Sequence, residues 1–260
     1  MTRVLAVTNQ KGGVGKTTTV VNVAASLAAL GRRALLVDLD PQGNATTGSG
    51  IDKAALQRSV YHLLLEQTDF HGARVHSVMG GYDVLPANRE LAGAEVELVD
   101  AEQREYRLKH ALAQAAGDYD VILIDCPPAL NLLTVNGLAA AWRVLIPMQC
   151  EYYALEGLSD LVQTIRRVRG HLNTGLEIEG LLRTMLDPRN ALAQQVSAQL
   201  ERHFGEKVYQ TAIPRNVRLA EAPSHGQPAL KYDPVSKGAQ AYLQLTREML
   251  ERFENGRSTH

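Results

Sequence analysis

Cysteine is scarce in this chain. There are two, Cys126 and Cys150, far apart and in no C-x-x-C pair. That argues against a structural zinc or a disulfide framework and predicts a reducing, cytoplasmic setting. Long apolar runs are also missing. No stretch reaches the roughly 20 residues of a membrane span, and no signal peptide is expected before the first apolar run. An excess of one charge is missing as well: 27 Lys and Arg stand against 28 Asp and Glu. Without a global basic field, any contact with nucleic acid must come from a local patch. Low-complexity segments, long linkers and internal repeats are absent. What remains is 260 residues, 45% hydrophobic and 21% charged. This is ordinary globular composition, and one domain over residues 1–260 is expected.

The densest chemistry lies near the start. Residues 9–19 read NQKGGVGKTTT. An apolar run at 4–7 precedes them, and an alanine-rich periodic run at 20–30 follows. Strand, glycine-rich loop and helix form the context of a phosphate-binding loop. Gly12, Gly13 and Gly15 let backbone N–H groups approach a polyphosphate, and the Val14 peptide belongs to the same cradle. The helix beginning near Lys16 adds its dipole. Lys16 offers a point charge, and the Thr17 hydroxyl a ligand for Mg²⁺. The general loop, G-x-x-x-x-G-K-[ST], places a glycine where this chain has Gln10, and a second lysine, Lys11, follows. The pattern K-G-G-x-G-K-[ST] is the deviant Walker A signature.

Further along, residues 33–40 form an apolar run ending in Asp38 and Asp40, a buried parallel strand delivering acids to its C-terminal edge. PQGNAT at 41–46 is expected to break regular structure and form a first switch loop. Residues 60–65 predict a short helix, 66–80 a polar connection, and 82–86 a strand. The histidines His62, His71 and His76 lack metal spacing. Residues 90–116 predict one long helix with a solvated charged face. Residues 119–125 form the clearest strand, ending in Asp125 and followed by Cys126-Pro127-Pro128. This is the Walker B pattern, with Asp125 toward Mg²⁺ and a second switch after it. Strands are expected at 144–148, 178–185 and 208–213, and helices at 158–168 and 191–204. Residues 214–226 predict a loop with one helical turn at most. A closing helix over 235–253 carries an apolar stripe at 235, 239, 242, 245, 249 and 253. The alternation gives a doubly wound, mostly parallel α/β sheet with helices on both faces.

KGGVGKT, VDLDPQGN, IDCPP, QCEYYALEG and IPRNVRLAEAPSHG together resemble the Soj/ParA chromosome-partitioning ATPases over essentially the whole chain. The first three belong to the wider ParA/MinD superfamily, and the last two are more specific. The resemblance implies an ATPase using ATP and Mg²⁺. It implies a homodimer with nucleotide sandwiched between protomers, bound to double-stranded DNA without sequence preference. It also implies release on hydrolysis stimulated by a ParB-type partner, and a cytoplasmic, nucleoid-associated protein. Lys11 would reach the partner's phosphates, Asp40 would orient the attacking water, and Thr18 would contact the α-phosphate. Pro214 and Asn216 would border the adenine. Asp38 and Glu151 are weaker candidates for interface or water-network roles. Arg189 and Arg218 match DNA-contacting positions, and Arg215, Lys231 and Lys237 would extend that basic patch. No winged-helix domain is expected before the first strand, so operator-specific binding is not expected.

Three rival readings exist, and the intact Lys16, Asp40 and Asp125 speak against one of them, a binding scaffold without hydrolysis. A MinD-like membrane ATPase needs a basic amphipathic C-terminal helix with large apolar anchors. Residues 254–260, ENGRSTH, are polar and glycine-broken, so no membrane partner is expected. An electron-transfer ATPase resembling the nitrogenase iron protein needs cysteines that bridge a cluster between subunits. Cys126 sits inside a proline-flanked switch, and Cys150 ends a strand.

Overall fold

A computed structural model describes residues 2–115 and 117–255. Residues 256–260, on which most of the polar-tail expectation rests, lie outside the described residues, as does Ala116 at the end of the expected long helix. In chain order the first elements are β1 (Arg3–Val7), α1 (Lys16–Ala29), β2 (Ala34–Asp38), α2 (Asn44–Gly48), α3 (Val60–Leu64), α4 (Phe70–Ala73), β3 (Val75–Ser77) and β4 (Tyr82–Leu85). Next come α5 (Leu91–Glu97), α6 (Arg107–Ala113), β5 (Val121–Asp125), α7 (Leu132–Ala140), β6 (Arg143–Gln149), α8 (Ala154–His171) and β7 (Glu177–Thr184). The chain closes with α9 (Ala191–Phe204), α10 (Val217–Glu221), α11 (Ala229–Tyr232) and α12 (Lys237–Asn255).

The seven strands run in the order β3-β4-β2-β5-β1-β6-β7. Every pairing is parallel except β3 with β4 at one edge. The central strands are continuous apolar runs because both their faces are covered. Alternate residues feed opposite layers. Ala6, Leu35, Val37, Ile122 and Ile124 pack on one side, and Leu5, Val7, Leu36, Val121 and Leu123 on the other. The register sets Val7 and Asp38 beside Asp125. The loops after β1, β2 and β5 therefore converge at one C-terminal edge, where open α/β sheets hold ligands.

The fold corrects several expectations. The switch stretch 41–46 is not wholly irregular, because α2 begins at Asn44. Residues 66–80 hold α4 and β3 rather than a plain connection. The long helix over 90–116 is broken into α5, a 3₁₀ turn at Arg104–Tyr106 and α6. Gln103 adopts φ +51° at the break. One of its charged residues, Arg107, is largely buried and pairs with Glu66. Residues 208–213 are not a ladder strand. They touch β7 through Tyr209 N–H to Leu181 O and Ile213 N–H to Arg183 O. Between those points the Gln210 and Thr211 N–H groups donate to the Glu248 carboxylate, both at 2.9 Å. Residues 214–226 hold α10 and a 3₁₀ turn, more helix than one turn. In the closing helix the stripe from Ala239 to Phe253 is buried, but Val235 lies before α12 and is exposed.

Candidate active site

The loop after β1 is built for close approach by an anion. Gly13 and Gly15 have φ of +75° and +87°, a region that a Cβ disfavours. Gly15 caps α1, and no side chain bonds that helix end. Its first-turn N–H groups are left for a ligand. An added Cβ on Gly12 or Gly13 would meet nothing within 4 Å, so the cradle is open. Lys16 folds back inside it, its Nζ donating to Lys11 O at 3.1 Å.

Acids gather opposite that lysine. The Thr17 hydroxyl donates to Asp125 Oδ2 at 2.7 Å. The other oxygen, Asp125 Oδ1, is buried with no hydrogen-bond partner. Asp38 is fully buried, taking Thr46 N–H (2.8 Å) and Thr46 Oγ1 (2.7 Å) on one oxygen and Asp40 N–H (3.1 Å) on the other. Burial lifts the Asp38 carboxyl to about 6. Burial, then the charge of Asp38, pushes Asp125 well above the usual carboxylate range. Burial lowers Lys16, against support from Asp125 and Asp40. One buried cation thus faces Asp125 and Asp40, while Asp38 crowds Asp125 from behind. A divalent cation answers that deficit, and the Thr17 hydroxyl with the orphaned Asp125 oxygen fits the oxygen donors that Mg²⁺ takes. Among the described residues no cluster of three or more His, Cys, Asp or Glu is placed to hold a metal by protein groups alone. Mg²⁺ commonly completes its shell with phosphate oxygens and water.

Beside the loop lies a cavity of about 350 Å³, lined by Gly15, Thr18, Met185, Pro214, Asn216 and Tyr242 among others. It brings three sequence-predicted positions, Thr18, Pro214 and Asn216, against the phosphate loop. Asn216 also caps α10 by accepting Arg218 N–H at 3.0 Å. Arg215, expected in the basic patch, lines this cavity as well. Lys11 points away, its ammonium paired with the Glu151 carboxylate. Sequence reasoning gave no role to Thr184, Met185 and Gln149, which lie at the ends of β6 and β7; Thr184 and Met185 carry no local motif, and Gln149 opens the QCEYYALEG segment. It also missed Asn9, whose side chain accepts Lys11 N–H (3.0 Å) and donates to Pro147 O (2.8 Å).

The other basic residues lie apart from the phosphate loop and are partly neutralised. Arg189 makes a bidentate pair with Asp187, and Arg215 also lowers Asp187 through its charge. Arg218 pairs with Glu221 at 2.8 Å and with Asp233 at 3.2 Å. Lys231 in α11 and Lys237 at the start of α12 are exposed. Among the described residues no helix is long and apolar enough to cross a membrane.

Comparison with known proteins places this geometry. A family model described as "AAA domain" matches residues 2–178. The chain is 53% identical to the chromosome-partitioning ATPase Soj of Thermus thermophilus, over 97% of each chain. It is 52% identical to the chromosome partitioning protein ParA of Caulobacter vibrioides, covering 96% of this chain and 94% of that one. A structure from Mycobacterium smegmatis with bound ADP and magnesium, described as cobyrinic acid a,c-diamide synthase, superposes with a TM-score of 0.87 at 42% identity. That likeness covers 98% of this chain and 97% of the other. The septum site-determining protein MinD of Pyrococcus horikoshii, complexed with Mg-ADP, is more distant, with a TM-score of 0.77 at 26% identity over 95% and 96% of the chains.

Proposed function

This chain belongs to the Soj/ParA family of chromosome-partitioning ATPases, and from that premise we propose that it is a slow, Mg²⁺-dependent ATPase that dimerises on ATP. The dimer holds double-stranded DNA without sequence preference and releases it when a ParB-type partner stimulates turnover, which makes the protein nucleoid-associated. The observation that carries the catalytic part is the contact of Thr17 with Asp125 beneath an open phosphate loop, with one buried carboxylate oxygen unpartnered.

In this reading the chain's own residues mostly position and neutralise, which is where phosphoryl transfer gains its rate. The N–H groups around Gly12, Gly13, Val14 and Gly15 hold the phosphate chain. Lys16 gives up its bond to Lys11 O and turns to the phosphates. Thr17 and Asp125 would hold Mg²⁺, which when bound would neutralise phosphate charge. Thr18 meets the α-phosphate, and Pro214 and Asn216 border the base. Asp40 orients the attacking water. Lys11 exchanges Glu151 for the phosphates of the opposing protomer. Arg189, Arg215, Arg218, Lys231 and Lys237 form the DNA-facing patch.

Two measurements test this reading: ADP production with and without Mg²⁺, and DNA co-sedimentation with ATP and with ADP. Mg²⁺-dependent turnover with ATP-dependent DNA binding is expected. DNA binding that is equal in both nucleotides would remove the switch.

A further inference from the structure

The phosphate loop does not hold its shape by glycines alone. Two side chains from neighbouring strands grip its carbonyls. Thr184, at the end of β7, donates its hydroxyl to Val14 O at 2.8 Å. Gln149, its register partner at the end of β6, donates Nε2 to Gly13 O at 3.3 Å. Thr184 is 2% exposed, so water does not compete for that bond. In a planar trans peptide the C=O and the following N–H point in opposite directions. Holding Val14 O toward Thr184 therefore turns Gly15 N–H to the other side of that peptide. Holding Gly13 O toward Gln149 does the same for Val14 N–H. Those are donors that a phosphate chain needs.

Thr184 also faces a second region. It lines the cavity next to the loop, and its Cγ2 would lie 3.8 Å from a Cβ on Gly15. The next residue, Met185, takes φ +50°, a conformation sparsely populated by residues other than glycine. It lines the same cavity, and its sulfur accepts from Gln149 Nε2 at 2.9 Å.

We propose that Thr184 is a positioning residue for the nucleotide reaction. Its hydroxyl presets the Val14–Gly15 peptide of the phosphate loop before any nucleotide arrives. The inference rests on the nucleotide-binding reading above. It adds that the loop is organised by β7 and binds a phosphate chain without help from the base. Removing the hydroxyl leaves a buried carbonyl short of its donor and frees the peptide to rotate.

The test compares wild type, Thr184→Val and Thr184→Ser by isothermal titration with ATP and with inorganic tripolyphosphate, both with Mg²⁺. Tripolyphosphate has no base, so it reads the loop alone. Valine keeps the shape and loses the hydroxyl, and serine keeps the hydroxyl. Thr184→Val is expected to weaken both ligands about five- to tenfold, the loss of one buried hydrogen bond, and Thr184→Ser to restore both. If valine weakens ATP but spares tripolyphosphate, Thr184 serves only the base cavity and the proposal is overturned. Wild-type affinity in the valine variant, or a serine variant as weak as valine, overturns it too. So does a wild type that binds ATP yet ignores tripolyphosphate, because a preset loop must bind the chain by itself. Wild type that binds neither would instead sink the nucleotide reading.

Discussion

Asp40 is held from both sides. Its N–H donates to Asp38 Oδ1, and its own Oδ1 accepts Gln42 N–H at 2.9 Å. Asp38 in turn is pinned by Thr46, whose hydroxyl oxygen also accepts Ala87 N–H at 2.9 Å. The start of the switch is therefore tied to the sheet through a buried carboxylate, and Asp40 itself is only half-buried. Asp40→Ala removes a group whose proposed role is to orient water, while leaving the loop, Lys16 and the Thr17–Asp125 pair in place. That variant should bind ATP with near wild-type affinity and lose turnover by about a hundredfold or more. Steady-state ADP release beside equilibrium nucleotide titration checks this, and normal turnover would take Asp40 out of the role. Thr17→Ala should behave differently. It strips one oxygen from the metal position, so activity should reappear only at higher Mg²⁺, seen in a Mg²⁺ titration of the rate.

Glu248 shows how one element is set by another far away in sequence. From α12 it takes the N–H groups of Gln210 and Thr211, and it pairs with Arg252 at 2.8 Å. Burial alone would raise its pKa. The bonds from Thr211 and Gln210, with the charge of Arg252, outweigh that and hold it below the usual glutamate range. A carboxylate with a depressed folded pKa stabilises above its unfolded pKa, and that stability fades as pH falls through the folded value. Glu248→Ala should cost about 1–3 kcal/mol at pH 7, because two backbone donors lose their acceptor. The gap to wild type in urea denaturation should close as pH falls through that depressed value, and a gap unchanged in acid would show that the carboxylate charge is irrelevant. The same contact explains what could be read from sequence. VYQTAI at 208–213 has the β-branched and aromatic residues of a strand, but the partner that draws its N–H groups off the ladder is about forty residues away. α7 escaped notice because LLTVNGLAA is apolar nearly all round and shows no stripe. Residues 90–116 keep a helical period yet break at the left-handed Gln103, which no composition rule marks. The strands of the central sheet were legible as continuous apolar runs, and Lys16, Asp40 and Asp125 as local motifs at their ends. Thr184 and Gln149 were not, because only the β6–β7 register brings them to the loop.

At the scale of the whole molecule, the open loop shares its surroundings with exposed groups that a single chain does not use. Tyr152 and Tyr153 are 73% and 71% exposed and stack edge to face beside Glu151, the partner of Lys11. An exposed ion pair of this kind is worth about 1 kcal/mol at most, so Lys11 is easily released. A Cβ on Gly12 meets nothing within 4 Å among the described residues. An effect of Gly12→Val on assembly is then the mark of a second protomer at that position, as the proposed dimer requires. Both Lys11→Ala and Gly12→Val should bind ATP and stay monomeric by light scattering, and ATP dimers from both would remove the sandwich. In the proposed reading, dimerisation also sets DNA affinity. Each protomer's patch is muted by its own acids, since Asp187 holds Arg189, and Glu221 and Asp233 hold Arg218. On that reading one copy is too weakly basic for tight binding, and a dimer would double the phosphate contacts. Each contact adds about 0.9 to the slope of log affinity against log salt. Arg218→Glu should abolish binding, and Arg189→Glu should weaken it, with ATP dimerisation intact in both. The muting predicts a change of opposite sign. Glu221→Gln releases part of Arg218's charge, so it should strengthen binding at low salt equally on two unrelated duplexes. Fluorescence anisotropy with ATP and with ADP measures all three variants. Wild-type affinity in Arg218→Glu, or no gain in Glu221→Gln, would show that these arginines only balance their neighbouring acids.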